Sequence, residues 1–299
     1  MSMTRDIPAP SRRRRMPQGL IAARNILTFL AKTPTSLFGL IVLGLLIAVA
    51  LFAPLLATHD PYMQDLQNTL QPPSAAHLFG TDELGRDILQ LLIAGSGSAL
   101  AGPVVIALGS MLLGVIFGTV TGYVQGWLDF TIGRVTDLLL ALPVVVVAIV
   151  VAGVFGSGYW VTVAMLVVLF APSDIRLVRS AVIEQSARPY IESARMLRLG
   201  PLRIMFRHIL PNVSPIIVTN ALVNFAIAIV ALSSLSFLGV GVSPGAADWG
   251  RQLDDGRGLL PINPAATIAP AIAIVVVACA ANLLGDALAA RAERKGGAE

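Results

Sequence analysis

The 41 residues between Asp87 and Asp129 carry no charge. About a quarter of an ordinary soluble domain is charged, and a helix needs roughly 20 apolar residues to cross a bilayer. A neutral run of this length suits lipid better than water. Further apolar runs occupy 37–57, 137–155, 161–172, 213–238 and 267–284. Over 299 residues, 56% are hydrophobic and only 13% charged, with a mean hydropathy of +0.79. The expected fold is all-α: a polytopic transmembrane helical bundle of about six spans, the second near Ala99–Tyr123. In that span Gly114, Gly118 and Gly122 recur every fourth residue. They leave one helix face nearly bare backbone, a pattern that lets membrane helices pack closely.

The polar segments divide the chain. A basic tail covers 1–36, with Arg12 to Arg15 consecutive, and the first span follows at 37–57. A long loop is expected at 58–98 and a five-span core at 99–285. That core is interrupted by a polar segment at 174–212 and a second long loop at 239–265, and a basic tail closes the chain at 286–299. With six spans both termini lie on one side, and 18 of the 21 lysines and arginines fall there. Only Arg86, Arg251 and Arg257 lie on the other side, together with eight of the 17 acidic residues. Cytoplasmic loops of membrane proteins carry such an excess, so the termini and segment 174–212 are expected in the cytoplasm. The pI of about 9.7 then reports orientation in a membrane, and no nucleic-acid partner is expected.

Segment 174–212 holds seven arginines: Arg176, Arg179, Arg188, Arg195, Arg198, Arg203 and Arg207. Its apolar residues Leu177, Ala181, Ile191, Ala194, Leu197 and Ile204 recur at helical spacing, which describes short amphipathic helices with one face to cover. Pro189 and Pro201 suit the first turns of new helices, and Gly200 suits a break. On composition alone the segment is equally a basic loop that only fixes topology. Asn220 and Asn224, one turn apart in the fifth span, either line a translocation path or hydrogen-bond between helices.

Other chemistry finds little support. Cys279 is the lone cysteine, and His59, His77 and His208 are scattered without ligand spacing; no metal site or cofactor is expected. No GxxxxGKS/T, HExxH or GxSxG pattern occurs, so the chain is not expected to be an enzyme, and any ATP would be bound by another chain. A secondary transporter driven by an ion gradient is the alternative. It would usually show ionisable residues at mid-membrane and inverted repeats. Asp137 and Asp286 fall near span ends, and no repeat is visible.

Three stretches carry a resemblance. His77–Leu89, HLFGTDELGRDIL, is similar to the FGTDxxGRD signature of the dipeptide, oligopeptide and nickel permeases of ABC importers, with Gly80, Thr81, Asp82, Gly85, Arg86 and Asp87 as the matching residues. Leu238–Arg257 resembles the LGxGxxPPxxxWGxxLxxGR segment of the same family, including Trp249 and Gly250, with Gly245 where a second proline is common. Glu192-Ser193-Ala194 followed by Arg207–Asn212, RHILPN, resembles the EAA loop, the family's coupling helix. The family's glycine six residues after the glutamate is Arg198 here; Gly200 two residues on reads as a shifted helix break.

The resemblance implies a type I ABC importer permease in the bacterial inner membrane. It would pair with a second permease as a heterodimer, with two ATPase subunits and with an extracytoplasmic solute-binding protein. It would provide the path for di- or oligopeptides or a related small solute. The coupling residues would be Glu192, Ser193, Ala194, Leu197, Arg198 and Gly200, with Glu192, Ala194 and Leu197 making the main contacts.

Overall fold

The computed structural model describes residues 33–56, 60–156, 158–243 and 245–296. The tail with Arg12 to Arg15, as well as His59, lies outside the described residues. Among the described residues, five helices are long and apolar enough to cross a membrane, and a sharply bent pair makes a sixth if read as one broken span. The expected all-α bundle of about six spans is the observed fold.

Helix α1 (Pro34–Leu56) lies at the edge of the bundle. Only Ser36 and Gly39 are buried in it, and a Cβ at Gly39 would stand 2.8 Å from the Ala280 carbonyl oxygen. Ile41, Leu45 and Leu51 on its other faces are exposed, a surface that suits lipid.

Helix α2 (Ile88–Val124) starts eleven residues before the expected Ala99, inside the expected loop 58–98. Asp87 sets the start, because its side chain accepts the Gln90 N–H at 3.1 Å. The Gly95–Ser98 run, which reads as a loop, is helical for two reasons. Ser96 and Ser98 donate back to the Ile93 and Gly95 carbonyls. Gly95 leaves room for Trp249, whose ring would lie 3.0 Å from a Cβ there. At 1.5 Å per residue α2 is about 55 Å long, well beyond a hydrocarbon core of about 30 Å.

Helices α3 (Trp127–Leu140) and α4 (Val144–Phe155) meet at 89°. The expected continuous third span at 137–155 is therefore broken. Pro143 stands at the break, where its ring disfavours helical backbone at Leu142.

Helix α5 (Tyr159–Ser186) runs fourteen residues past Pro172, the expected end of the fourth span. The expected polar segment from Asp174 begins as a continuation of this helix. Its charges are accommodated face by face: Arg176 pairs with Asp137 and Arg179 with Asp129, both on α3, while Val178 and Val182 are fully buried. Gly114, Gly118 and Gly122 of α2 lie directly on α5, as the sequence spacing requires. A Cβ at Gly114 would be 2.5 Å from the Asp174 Cβ, and one at Gly118 or Gly122 would be 2.8 Å from the carbonyl oxygen of Ile175 or Arg179.

Beyond α5 come α6 (Pro189–Met196), α7 (Pro201–Ile204), a π turn at Met205–Ile209 and α8 (Leu210–Phe237). The loop after α8 contains α9 (Trp249–Gly256), and α10 (Ala265–Gly296) closes the bundle. The expected sixth span at Thr267–Leu284 is the middle of α10.

Candidate functional site

Two assemblies lie at opposite ends of the bundle, one around α6 and one around α9. The α6 end is built on α5. Helix α5 stops at Ser186, Arg188 turns into extended backbone, and Pro189 opens α6. Arg188 donates to Glu184 at 3.0 Å across this junction. The Tyr190 hydroxyl donates to Gln185 at 2.9 Å and accepts from Asn212 at 3.0 Å. One phenol thereby fastens the start of α6 to the last turn of α5 and the first turn of α8. The sequence marks Asn212 only as part of a motif and gives no signal for Tyr190.

Ile191 and Ala194 point inward onto Val178, Val182, Ile204 and Ile209. Ala194, expected on the docking face, is 5% exposed and seats the loop instead, because its small side chain lies on the apolar side of α6. Glu192 and Ser193 are exposed, and the Ser193 hydroxyl donates to the Pro189 carbonyl. Met196, Leu197, Leu202 and Phe206 are large apolar side chains left in the open.

The helix break also falls elsewhere than expected. Arg198 has φ +54. Its N–H donates to the Arg195 carbonyl at 2.9 Å, and the Leu199 N–H donates to the Ala194 carbonyl at 3.2 Å. This pair of bonds with a left-handed residue is a Schellman cap, with Leu199 packed against the apolar cluster. Gly200 has φ −61, open to any residue. The break therefore sits at Arg198, and no shift to Gly200 occurs.

At the α9 end, the first motif is a tight fold around buried polar groups. Thr81 is fully buried; its hydroxyl donates to the Asn68 carbonyl at 2.6 Å and accepts the Gln71 N–H at 2.8 Å. Asp82 accepts the N–H groups of Leu84 and Arg86 and the Arg86 Nε at 2.7 Å. Gly80 and Gly85 take φ +76 and +73, where a side chain is strained. Asp87 caps α2 and binds His77 Nδ1 at 2.8 Å.

The second motif docks on the first. Arg86 Nη1 donates to the Gly245 carbonyl at 2.9 Å, and Gly245 has φ +80, which proline cannot adopt. Trp249 is buried with its indole N–H on the Leu92 carbonyl at 2.9 Å, and Gln252 donates to the Leu91 carbonyl at 2.8 Å. A Cβ at Gly250 would press on Ser233 and Ser236 of α8. Burial pushes the Asp248 carboxyl up, although it accepts the Arg251 N–H at the start of α9. Arg251 also pairs with Asp254 at 3.0 Å and with Asp255 at 2.9 Å.

Asn220 and Asn224 are engaged between helices. Asn220 donates to Asp174 Oδ1 at 2.7 Å, and Asn224 donates to both Asp174 oxygens at 2.8 and 2.9 Å. Of the two roles open to them, bonding between helices is the observed one. Asp174 is fully buried midway along α5. The sequence places it at the edge of a polar loop, so the absence of a mid-membrane carboxylate expected there is corrected.

Comparison with known proteins agrees with this architecture. Residues 114–295 match the family model of the binding-protein-dependent transport system inner membrane component, and residues 24–73 match the N-terminal TM domain of oligopeptide transport permease C. The chain is 38% identical over 251 residues to the glutathione transport system permease protein GsiD of Pectobacterium atrosepticum, covering 84% of this chain and 83% of that one. It is 33% identical over 259 residues to the dipeptide transport system permease protein DppC of Alkalihalophilus pseudofirmus, covering 87% and 85%. A GsiD of Escherichia coli is 37% identical over 245 residues, covering 82% and 81%. Family model and relatives together place the chain among the ABC importer permeases: it belongs to the inner-membrane components of binding-protein-dependent transport systems.

Proposed function

We propose that this chain is one permease of a heterodimer that carries di- or oligopeptides, or a related small solute, through the inner membrane. The α6–α7 loop receives one of two ATPase subunits, and the α9 end receives the loaded binding protein. The glutathione and dipeptide systems named among the relatives support this solute class. The positive-inside asymmetry supports termini and α6 in the cytoplasm.

One observation carries the coupling role. The loop exposes Met196, Leu197, Leu202 and Phe206 above a base fixed by buried Ile191 and Ala194 and by the Tyr190 bonds. Apolar side chains on a rigid, partly charged element at a cytoplasmic surface suit a protein groove. Glu192, Ser193 and Arg198 form the polar rim of this face. Ala194 and Gly200 act behind it.

The path belongs at the α3–α4 break. Ala141, Leu142 and Pro143 are exposed, non-helical backbone between two apolar helices. At membrane depth such backbone is tolerated only against protein or water, which suits the face shared with the second permease.

The test is co-purification of the detergent-solubilised permease pair with its ATPase, comparing wild type with Met196→Asp/Leu197→Asp. These side chains are exposed, so the bundle is left intact. The expected result is loss of the ATPase with the permease pair retained. Undiminished association of the variant would remove the docking assignment. An ATPase absent even from wild type would turn attention to gradient-driven transport.

A further inference from the structure

A buried carboxylate inside a membrane bundle calls for a reason, and Asp174 lies outside every motif used above. It sits near the middle of α5, twelve residues or about 18 Å from the end that leads into the loop. Both of its oxygens accept N–H groups from α8, through Asn220 and Asn224, which stand one turn apart. On its other side α2 comes in at Gly114, where a Cβ would lie 2.5 Å from the Asp174 Cβ. A sealed carboxylate held by three amide hydrogen bonds is costly to separate from its partners.

Its position along the helices is equally specific. Helices α5 and α8 are the two elements that flank the α6–α7 loop. Below Asp174 they share one apolar cluster with that loop: Val178 and Val182 of α5, Ile191 and Ala194 of α6, and Val213 of α8. Asp174 stands one turn above Val178, where the cluster ends on α5. The greasy contacts of the cluster permit sliding, since apolar surfaces are non-directional. Directional bonds across its upper end do not.

We propose that Asp174 is a positioning residue of the transport cycle: with Asn220 and Asn224 it locks α5 to α8, so that displacement of the coupling loop reaches the bundle as motion of one rigid pair. The inference rests on the coupling role proposed for the loop. The neighbouring arginines are engaged elsewhere, Arg176 and Arg179 with α3, so the α8 face of α5 is fixed by Asp174 and the opposite face by ion pairs.

The experiment uses the full complex with ATPases and binding protein, in a Cys279→Ser background. Spin labels at exposed Ser180 on α5 and Val218 on α8 report their separation without nucleotide and after trapping with ATP and vanadate. With the lock intact, the distance distribution is the same in both states. In Asp174→Ala it broadens and becomes state-dependent, and stimulation of the ATPase by loaded binding protein falls about fivefold or more. Asp174→Leu, which fills the space but accepts no hydrogen bond, keeps both defects, whereas exchanging the groups in Asp174→Asn/Asn224→Asp restores both readouts; a merely space-filling role would be satisfied by leucine.

Asn220→Ala, which removes one of the three bonds, gives an intermediate effect and serves if Asp174→Ala does not assemble. A separation that changes between states with the lock intact overturns the proposal. So does an Asp174→Ala complex with wild-type distances and stimulation. Failure of the underlying coupling reading is seen separately, as ATPases that do not co-purify before any label is introduced.

Discussion

Arg198 occupies a backbone position that favours glycine. Holding a non-glycine residue at φ +54 costs roughly 1 kcal/mol, and the Schellman bonds on either side fix it there. Glycine would relieve that strain at the expense of a more flexible unfolded chain. Arg198→Gly is therefore expected to leave folding stability unchanged or raise it by up to about 1 kcal/mol, read as a thermal shift of the detergent-solubilised protein. Arg198→Val, branched at Cβ, should lower stability by more than about 1 kcal/mol. Equal melting points for the two variants would mean that the left-handed turn is absent in solution. By contrast, Gly200→Ala should be nearly silent, because φ −61 at that residue asks nothing of glycine.

At the scale of elements, the glycine face of α2 determines how closely the central helices approach. At Gly118 a Cβ would meet the Ile175 carbonyl, the Val178 Cβ and the Arg179 nitrogen within 3.0 Å, and a backbone so confined has little room to shift. Gly118→Val is expected to destabilise by about 3 kcal/mol or more by overpacking, visible as loss of monodisperse protein in detergent. Gly133→Val in α3, where nothing lies within 4 Å, is the control and should behave as wild type. Here the sequence is a good guide: glycines every fourth residue in a neutral run suit close helix packing better than a substrate path, and all three lie against α5. The spans were legible for the same reason: long neutral runs have few alternatives. Their ends were not. Asp174 resembles the start of a polar loop until Asn220 and Asn224, 46 and 50 residues away, are seen to receive it. The bend between α3 and α4 falls in a run of alanine, leucine, proline and valine that gives a continuous hydropathy signal. Ala194 lies within a motif but faces inward, which only the packing of α6 on α5 decides.

For the whole molecule, charge is distributed between the two ends. The loops at the α9 end hold eight acidic residues against Arg86, Arg251 and Arg257. If the binding protein docks at that end, as proposed, a negative surface there would speed encounter with a basic patch on it and would lose this effect as salt screens it. Asp254 and Asp255 are poor probes of steering, because both pair with Arg251; neutralising them also unfastens the cap. Glu83 is exposed at the edge of a cavity of about 420 Å³ bordered by Tyr62, Gln64, Arg86 and Asp255, and it is the cleaner choice. Glu83→Lys should slow association of the loaded binding protein with the reconstituted complex by about threefold to tenfold at low ionic strength. Dissociation should change little, and the two association rates should converge near 0.5 M salt, where the screening length falls to about 4 Å. Stopped-flow fluorescence of a labelled binding protein measures both rates. An association rate equal to wild type at low salt would show that the acidic residues of this end serve the fold of the cap, in the way that Asp82 and Asp87 do, and that encounter is guided by shape alone.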